Sequence, residues 1–381
     1  MNRRTYLGAA ASGLAAFAGC SSVDPRDGSG SARDGATSTP TPPRLADTTL
    51  PVPRSELTFA APKDVFAAIV DPVFGPDWAG VELPGYGGDG ATPRLRPGDR
   101  VVGVVRDGEA RAYPLRLLAD HEVVNDEFHG SLLVTYCPLC GSGVTAERRV
   151  AGAPTRFGVS GKLWHSDLVM YDERTGSYWS QILATAIRGP RTGDRLGLVP
   201  STLTTWEQWQ RTHPETVVLR PPPESGTIDG SGAQFYSDAV DEPYRESAVI
   251  GVGQNDFADE RLPAKAEVIG VVHDGSARAY PLSVVTEAGA IDDTVGGLPV
   301  VVSHAKRTLV AYDRRIDGRT LRFRRGDDGR LRAGGSTWEV LSGRALDGAF
   351  EGRKLRRAND VSQLLWFAWA QHHPETTVYG R

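Results

Sequence analysis

The sequence predicts a mainly β protein with a few helices, a β-rich α+β fold, built as a tandem duplication of one hairpin-led unit that ends in a helix. Three observations carry this. Short β-branched runs broken by Gly and Asp turns recur along the chain, such as Leu132 to Tyr136, Val144 to Val150 and Leu168 to Tyr171. Val101-Val102-Gly103-Val104-Val105-Arg106-Asp107-Gly108, followed by Arg111-Ala112-Tyr113-Pro114-Leu115, returns as Val268-Ile269-Gly270-Val271-Val272-His273-Asp274-Gly275, followed by Arg278-Ala279-Tyr280-Pro281-Leu282. Trp206, Trp209 and His213-Pro214-Glu215-Thr216 return at the same spacing as Trp366, Trp369 and His373-Pro374-Glu375-Thr376.

Taken from the start, residues 1–20 read as a signal peptide. Arg3-Arg4 resembles a twin-arginine export signal, an apolar small-residue run follows, and Phe17-Ala18-Gly19-Cys20 resembles a lipobox in which Cys20 becomes the acylated first residue. The expectation is an exported protein anchored by lipid to the outer face of the cytoplasmic membrane. Residues 21–55, rich in Ser, Gly, Asp, Thr and Pro, read as a disordered tether. The first repeat is placed at 56–222, a linker at 223–235, and a degenerate second repeat at 236–381.

Each repeat opens with a strand, an Asp-Gly turn of the hairpin kind and a strand ending at Tyr-Pro. Each closes with a helix. In the first repeat that helix is expected to begin near Ser201 as N-cap, to place Leu203, Trp206 and Trp209 on one face, and to stop before His213-Pro214. Features kept in both copies serve the shared fold, so the Trp pairs and the His-Pro-Glu-Thr segments read as structural. Gly158-Val159-Ser160-Gly161 reads as a turn.

Composition excludes several function classes. With 43 basic and 47 acidic residues, the chain has no basic field for nucleic acid. It lacks a phosphate-cradling loop, a Gly-x-Ser-x-Gly elbow and a His-Glu-x-x-His helix, so no nucleotide cofactor is expected. Haem attachment is excluded because Gly141 stands where the required histidine would be.

The chemistry centres on Tyr136-Cys137-Pro138-Leu139-Cys140-Gly141. Two thiols two residues apart on a turn can chelate a soft metal or close a small disulfide. The second repeat lacks the pair: His304 aligns with Cys137, Arg307 with Cys140, and Ala288 with His121. The stretch Lys162 to Met170 has no counterpart either. The first repeat therefore carries the site. Proline sets a knuckle turn and glycine lets amides face sulfur, with a strand before and a strand after; a redox site instead begins a helix with its first Cys. The expected site is copper or zinc on Cys137 and Cys140, with His121 and His165 as further ligands and His129 behind them. Met170 is a soft-ligand candidate; Asp126, Asp167 and Asp172 could act as acids or hold a ligand, although carboxylates near turns are usually solvated, and Asp126 and Asp172 are kept as supporting candidates. The alternatives are a thiol-disulfide oxidoreductase whose catalytic residues are Cys137 and Cys140, and a non-catalytic surface binding module with a structural disulfide.

Six ordered stretches make the first repeat resemble the family catalogued as Domain of Unknown Function 3179. They are Arg111-Ala112-Tyr113-Pro114-Leu115, His121-Glu122-Val123-Val124-Asn125-Asp126, Tyr136 to Gly141, Phe157-Gly158-Val159-Ser160-Gly161, Leu168-Val169-Met170-Tyr171-Asp172 and Trp179-Ser180-Gln181. The resemblance spans about Val101 to Leu219. It implies kinship without an activity, and because the family often has Asn at the position of His165, it favours His121 as the ligand.

Overall fold

The computed structural model describes residues 44–45, 48–81, 94–230, 242–252 and 257–381. The signal peptide, Cys20, most of the tether and part of the linker lie outside the described residues. Strand dominates and the helices are short, as a β-rich α+β fold requires. Among the described residues no helix is long and apolar enough to cross a membrane.

The opening hairpins form as their sequences dictate. Arg100–Arg106 pairs antiparallel with Glu109–Pro114, and Glu267–His273 with Ser276–Pro281. The turn residues Asp107, Gly108, Asp274 and Gly275 all have positive φ, the two-residue geometry whose twist matches the flanking strands. A seven-residue helix follows each hairpin, Leu115–His121 and Leu282–Ala288. Next come antiparallel strands: Val123–Glu127, Ser131–Cys137 and Ser142–Glu147 in the first half, and Ala290–Val295, Leu298–Ala305 and Thr308–Asp313 in the second.

The closing helices are Trp206–Thr212 and Trp366–His372. The first begins later than the sequence suggests. Ser201–Thr205 is a strand paired with Arg100–Arg106, and Thr205, not Ser201, is the N-cap, its side chain accepting from the Gln208 amide. Three threonines in five residues favour the pleated sheet over a helix, so Leu203 belongs to a strand. The helix ends at Thr212 with His213 as C-cap. Each Trp pair packs as the duplication implies: the Trp209 and Trp369 indoles lie over Gly103 and Gly270, and their Nε1 atoms donate to Thr216 and Thr376, both at 2.9 Å.

A third sheet holds Phe157–Trp164, Asp167–Asp172, Tyr178–Ser180 and Thr185–Arg188 in sequence order. The segment expected as a turn, Gly158 to Gly161, lies within its first strand. Pairing slips between Val159 and Lys162 there, a bulge that Ser160 closes by donating to the Val169 carbonyl. The second half contains a shorter sheet of Arg324–Arg325, Leu331–Ala333 and Ser336–Trp338.

One apolar cluster joins the halves. It contains Cys137, Cys140, Val144, Phe157, Met170 and Trp179 from the first and Leu365, Trp366, Phe367 and Trp369 from the second. Hydrogen bonds reinforce it: the Leu365 amide donates to the Cys140 carbonyl at 2.9 Å, and Ser362 Oγ donates to the Gly143 carbonyl at 2.8 Å.

Candidate metal centre

Cys137 ends one strand of its hairpin and pairs with Ser142 at the start of the next, so residues 138–141 form the turn. Gly141 takes φ +62°, a left-handed value that Gly adopts without strain. The turn points the Cys140 amide at Cys137 Sγ, 3.4 Å away, which is the amide-to-sulfur contact of a metal knuckle. Both thiols are free and buried, Cys137 at 1 % and Cys140 at 0 % exposure.

The facing residues come from the turn between Phe157–Trp164 and Asp167–Asp172. Its two central residues, His165 and Ser166, have φ 50° and 64°, each at a cost of roughly 1–2 kcal/mol for a residue with a Cβ. The geometry directs the Ser166 carbonyl at both sulfurs, 3.3 Å from Cys140 Sγ and 3.7 Å from Cys137 Sγ. It also buries Asp167 beside them. One ligand atom each from Cys137, Cys140 and Asp167 lies within 4.8 Å of the others.

Charge is what this group lacks. Burial raises the Cys140 thiol well above its usual range, and Cys137, Asp167 and Glu122 push it further the same way. Burial lifts Asp167 to about 7, although Ser180 Oγ and the Ile182 amide donate to its Oδ2 at 2.7 and 3.1 Å. Asp167 Oδ1 has no hydrogen-bond partner. A buried cation would reverse these shifts, since it supplies the positive charge that two thiolates and a carboxylate need.

The expected histidines do not join the group. His121 is buried at the end of Leu115–His121, its Nδ1 2.6 Å from the Ala67 carbonyl, and burial lowers it to about 4. His165 is exposed at the turn tip, its ring 4.6 Å from that of Trp164. His129 sits at another turn, 3.3 Å from both Asp107 and Glu109. Neither His121 nor His165 comes with both sulfurs into a set of ligand atoms within 4.8 Å, whereas Asp167 does.

The remaining candidates have other partners. Asp126 accepts from Arg111 at 2.7 Å and from Tyr113 Oη at 2.6 Å. Asp293 repeats that arrangement with Arg278 and Tyr280 in the half that has no thiols. Asp172 accepts from Thr175, the Ser177 amide and Trp179 Nε1. Met170 packs in the apolar cluster. The Trp179-Ser180-Gln181 stretch now has a reason: Trp179 holds Asp172, Ser180 holds Asp167, and Gln181 bonds Ser142 and Thr135 of the cysteine hairpin.

Sequence reasoning weighs Asp167 only with Asp126 and Asp172 as a carboxylate near a turn, where most are solvated, and leaves it out of the ligand set; His372 it misses altogether. His372, the last residue of the second closing helix, is also buried here. Its Nδ1 is 2.8 Å from the Ala368 carbonyl, and its Nε2 lies 3.7 Å from Asp167 Oδ2 and has no hydrogen-bond partner. Burial lowers it to about 3, so with Asp167 raised the contact is not an ion pair. Its ring meets Trp164 edge-on at 5.3 Å.

These stretches are shared beyond this chain, since the model of the protein of unknown function DUF3179 matches residues 63–376. The chain belongs to that family. The DUF3179 match runs through both halves, further than the Val101 to Leu219 stretch that carries the motifs, and it includes the helix bearing His372. No curated protein and no solved structure matches the chain.

Proposed function

We propose that this DUF3179 protein is an exported, lipid-anchored protein holding one zinc ion on Cys137, Cys140 and Asp167. The buried thiol and carboxyl group without a countercharge carries the reading. Zinc suits it better than copper: a hard carboxylate oxygen beside two soft sulfurs matches a borderline ion. Complete burial favours a closed, structural site over one that keeps a position open for substrate. Thiol-disulfide exchange calls for an accessible thiolate, and Cys137 and Cys140 are both buried.

Elemental analysis of the full chain tests the site. About one zinc per chain is expected, lost in Cys137→Ser and Cys140→Ser and weakened in Asp167→Asn. Metal-free protein with a readily reduced Cys137–Cys140 disulfide would overturn zinc in favour of redox. The anchor has its own test, since labelled fatty acid should enter the wild type and not Cys20→Ser.

A further inference from the structure

From the second half of the chain, we infer that His372 Nε2 is the fourth zinc ligand, so that the ion is shared between the two halves. This rests on the zinc reading above. The tautomer follows from the hydrogen bond: a carbonyl only accepts, so Nδ1 carries the proton toward Ala368 and Nε2 presents a lone pair. A ligating histidine is ordinarily held in that way through its other nitrogen.

Distance agrees. In a tetrahedron with bonds of about 2.0–2.2 Å to nitrogen and oxygen, those two ligand atoms stand about 3.3–3.6 Å apart. Nε2 and Asp167 Oδ2 are 3.7 Å apart, too far for a hydrogen bond and close to a shared-ion spacing. Nε2 stands outside the set that the two sulfurs and Asp167 form within 4.8 Å, so the imidazole closes on the ion as it binds. His372 Nε2 and Asp167 Oδ1 have no hydrogen-bond partner, and a cation gives each one without breaking the Oδ2 bonds to Ser180 and Ile182.

The other half supplies a control. Thr212 stands in the first closing helix where His372 stands in the second, and Thr212 Oγ1 donates to the Gln208 carbonyl at 2.9 Å, the same four-residue back-bond that His372 makes to Ala368. A hydroxyl meets the helix's need. Imidazole adds a second nitrogen, and only in the helix that packs on the cysteine turn.

Zinc and cobalt binding to the full chain tests this, with His372→Ala, His372→Gln and His129→Ala compared by chelator competition and by the visible spectrum of the cobalt form. Both His372 variants should lose at least about tenfold in zinc affinity and change the cobalt spectrum, while His129→Ala matches wild type. Unchanged affinity and spectrum in folded His372 variants would overturn His372 as ligand and leave the cysteine site standing. A wild type that takes up neither metal would instead sink the parent reading. Should the variants fail to fold, X-ray absorption on wild-type zinc protein decides: one imidazole among the ligands is expected, and none overturns the assignment.

Discussion

Asp167 and Asp172 bound the same strand and have opposite environments. Asp172 accepts from amides, a hydroxyl and an indole, so its charge is fully met. Asp167 keeps one oxygen unpartnered. Asp172→Asn should therefore lower stability by about 2 kcal/mol or more, because an amide nitrogen would face donors, yet leave zinc stoichiometry intact. Urea midpoints and metal content measured together check this; loss of metal without loss of stability would contradict the division. From sequence the two carboxylates look alike, and Asp172 was favoured. Burial and partners separate them, and neither is written in residue type.

At the scale of elements, the opening hairpins and closing helices are tied by the same contact in each half. A Cβ on Gly270 would come within 2.0 Å of the Trp369 ring, and one on Gly103 within 2.4 Å of Trp209. Gly270→Ala and Gly103→Ala should each destabilise by about 2–3 kcal/mol through overpacking, read as a drop in thermal midpoint. Gly270→Ala should also weaken zinc binding, since it displaces the helix bearing His372, whereas Gly103→Ala should not. Equal zinc affinity in the two variants would argue against that coupling. Hairpins were legible because turn residues and alternation are local. The start of the first closing helix was not, since Ser201–Thr205 is held as strand by pairing with Arg100–Arg106.

For the whole molecule, buried and half-buried imidazoles set the response to acid. His121, His213 and His373 are each lowered to about 4, chiefly by burial. Below about pH 6.5 the unfolded chain takes up protons that the folded chain refuses, so stability falls as pH drops from 6.5 toward 4. Asp167, raised to about 7, acts with the opposite sign: it favours the fold at low pH and loses that contribution as pH rises through 7. Burial raises Asp292 and Asp360 as well and lowers His372 to about 3, so three carboxyls oppose four imidazoles and the net effect is acid destabilisation. Urea midpoints of metal-free protein should decline steadily from pH 6.5 to 4.5, and a level or rising midpoint would refute this.

By itself the sequence determined the β-rich class, the paired hairpins, the Trp and His-Pro-Glu-Thr packing and the turn that brings Cys137 and Cys140 together. These rest on periodicity, turn chemistry and spacing, which act over a few residues. Only the tertiary structure decided what faces the thiols. Asp167 comes beside them through a strained turn and His372 beside Asp167 through packing of the opposite half, while His121 turns to the Ala67 carbonyl and His165, whose ring meets that of His372, stays outside the ligand set. A metal site is a meeting of side chains in space, and which ones meet depends on how sheets and helices pack.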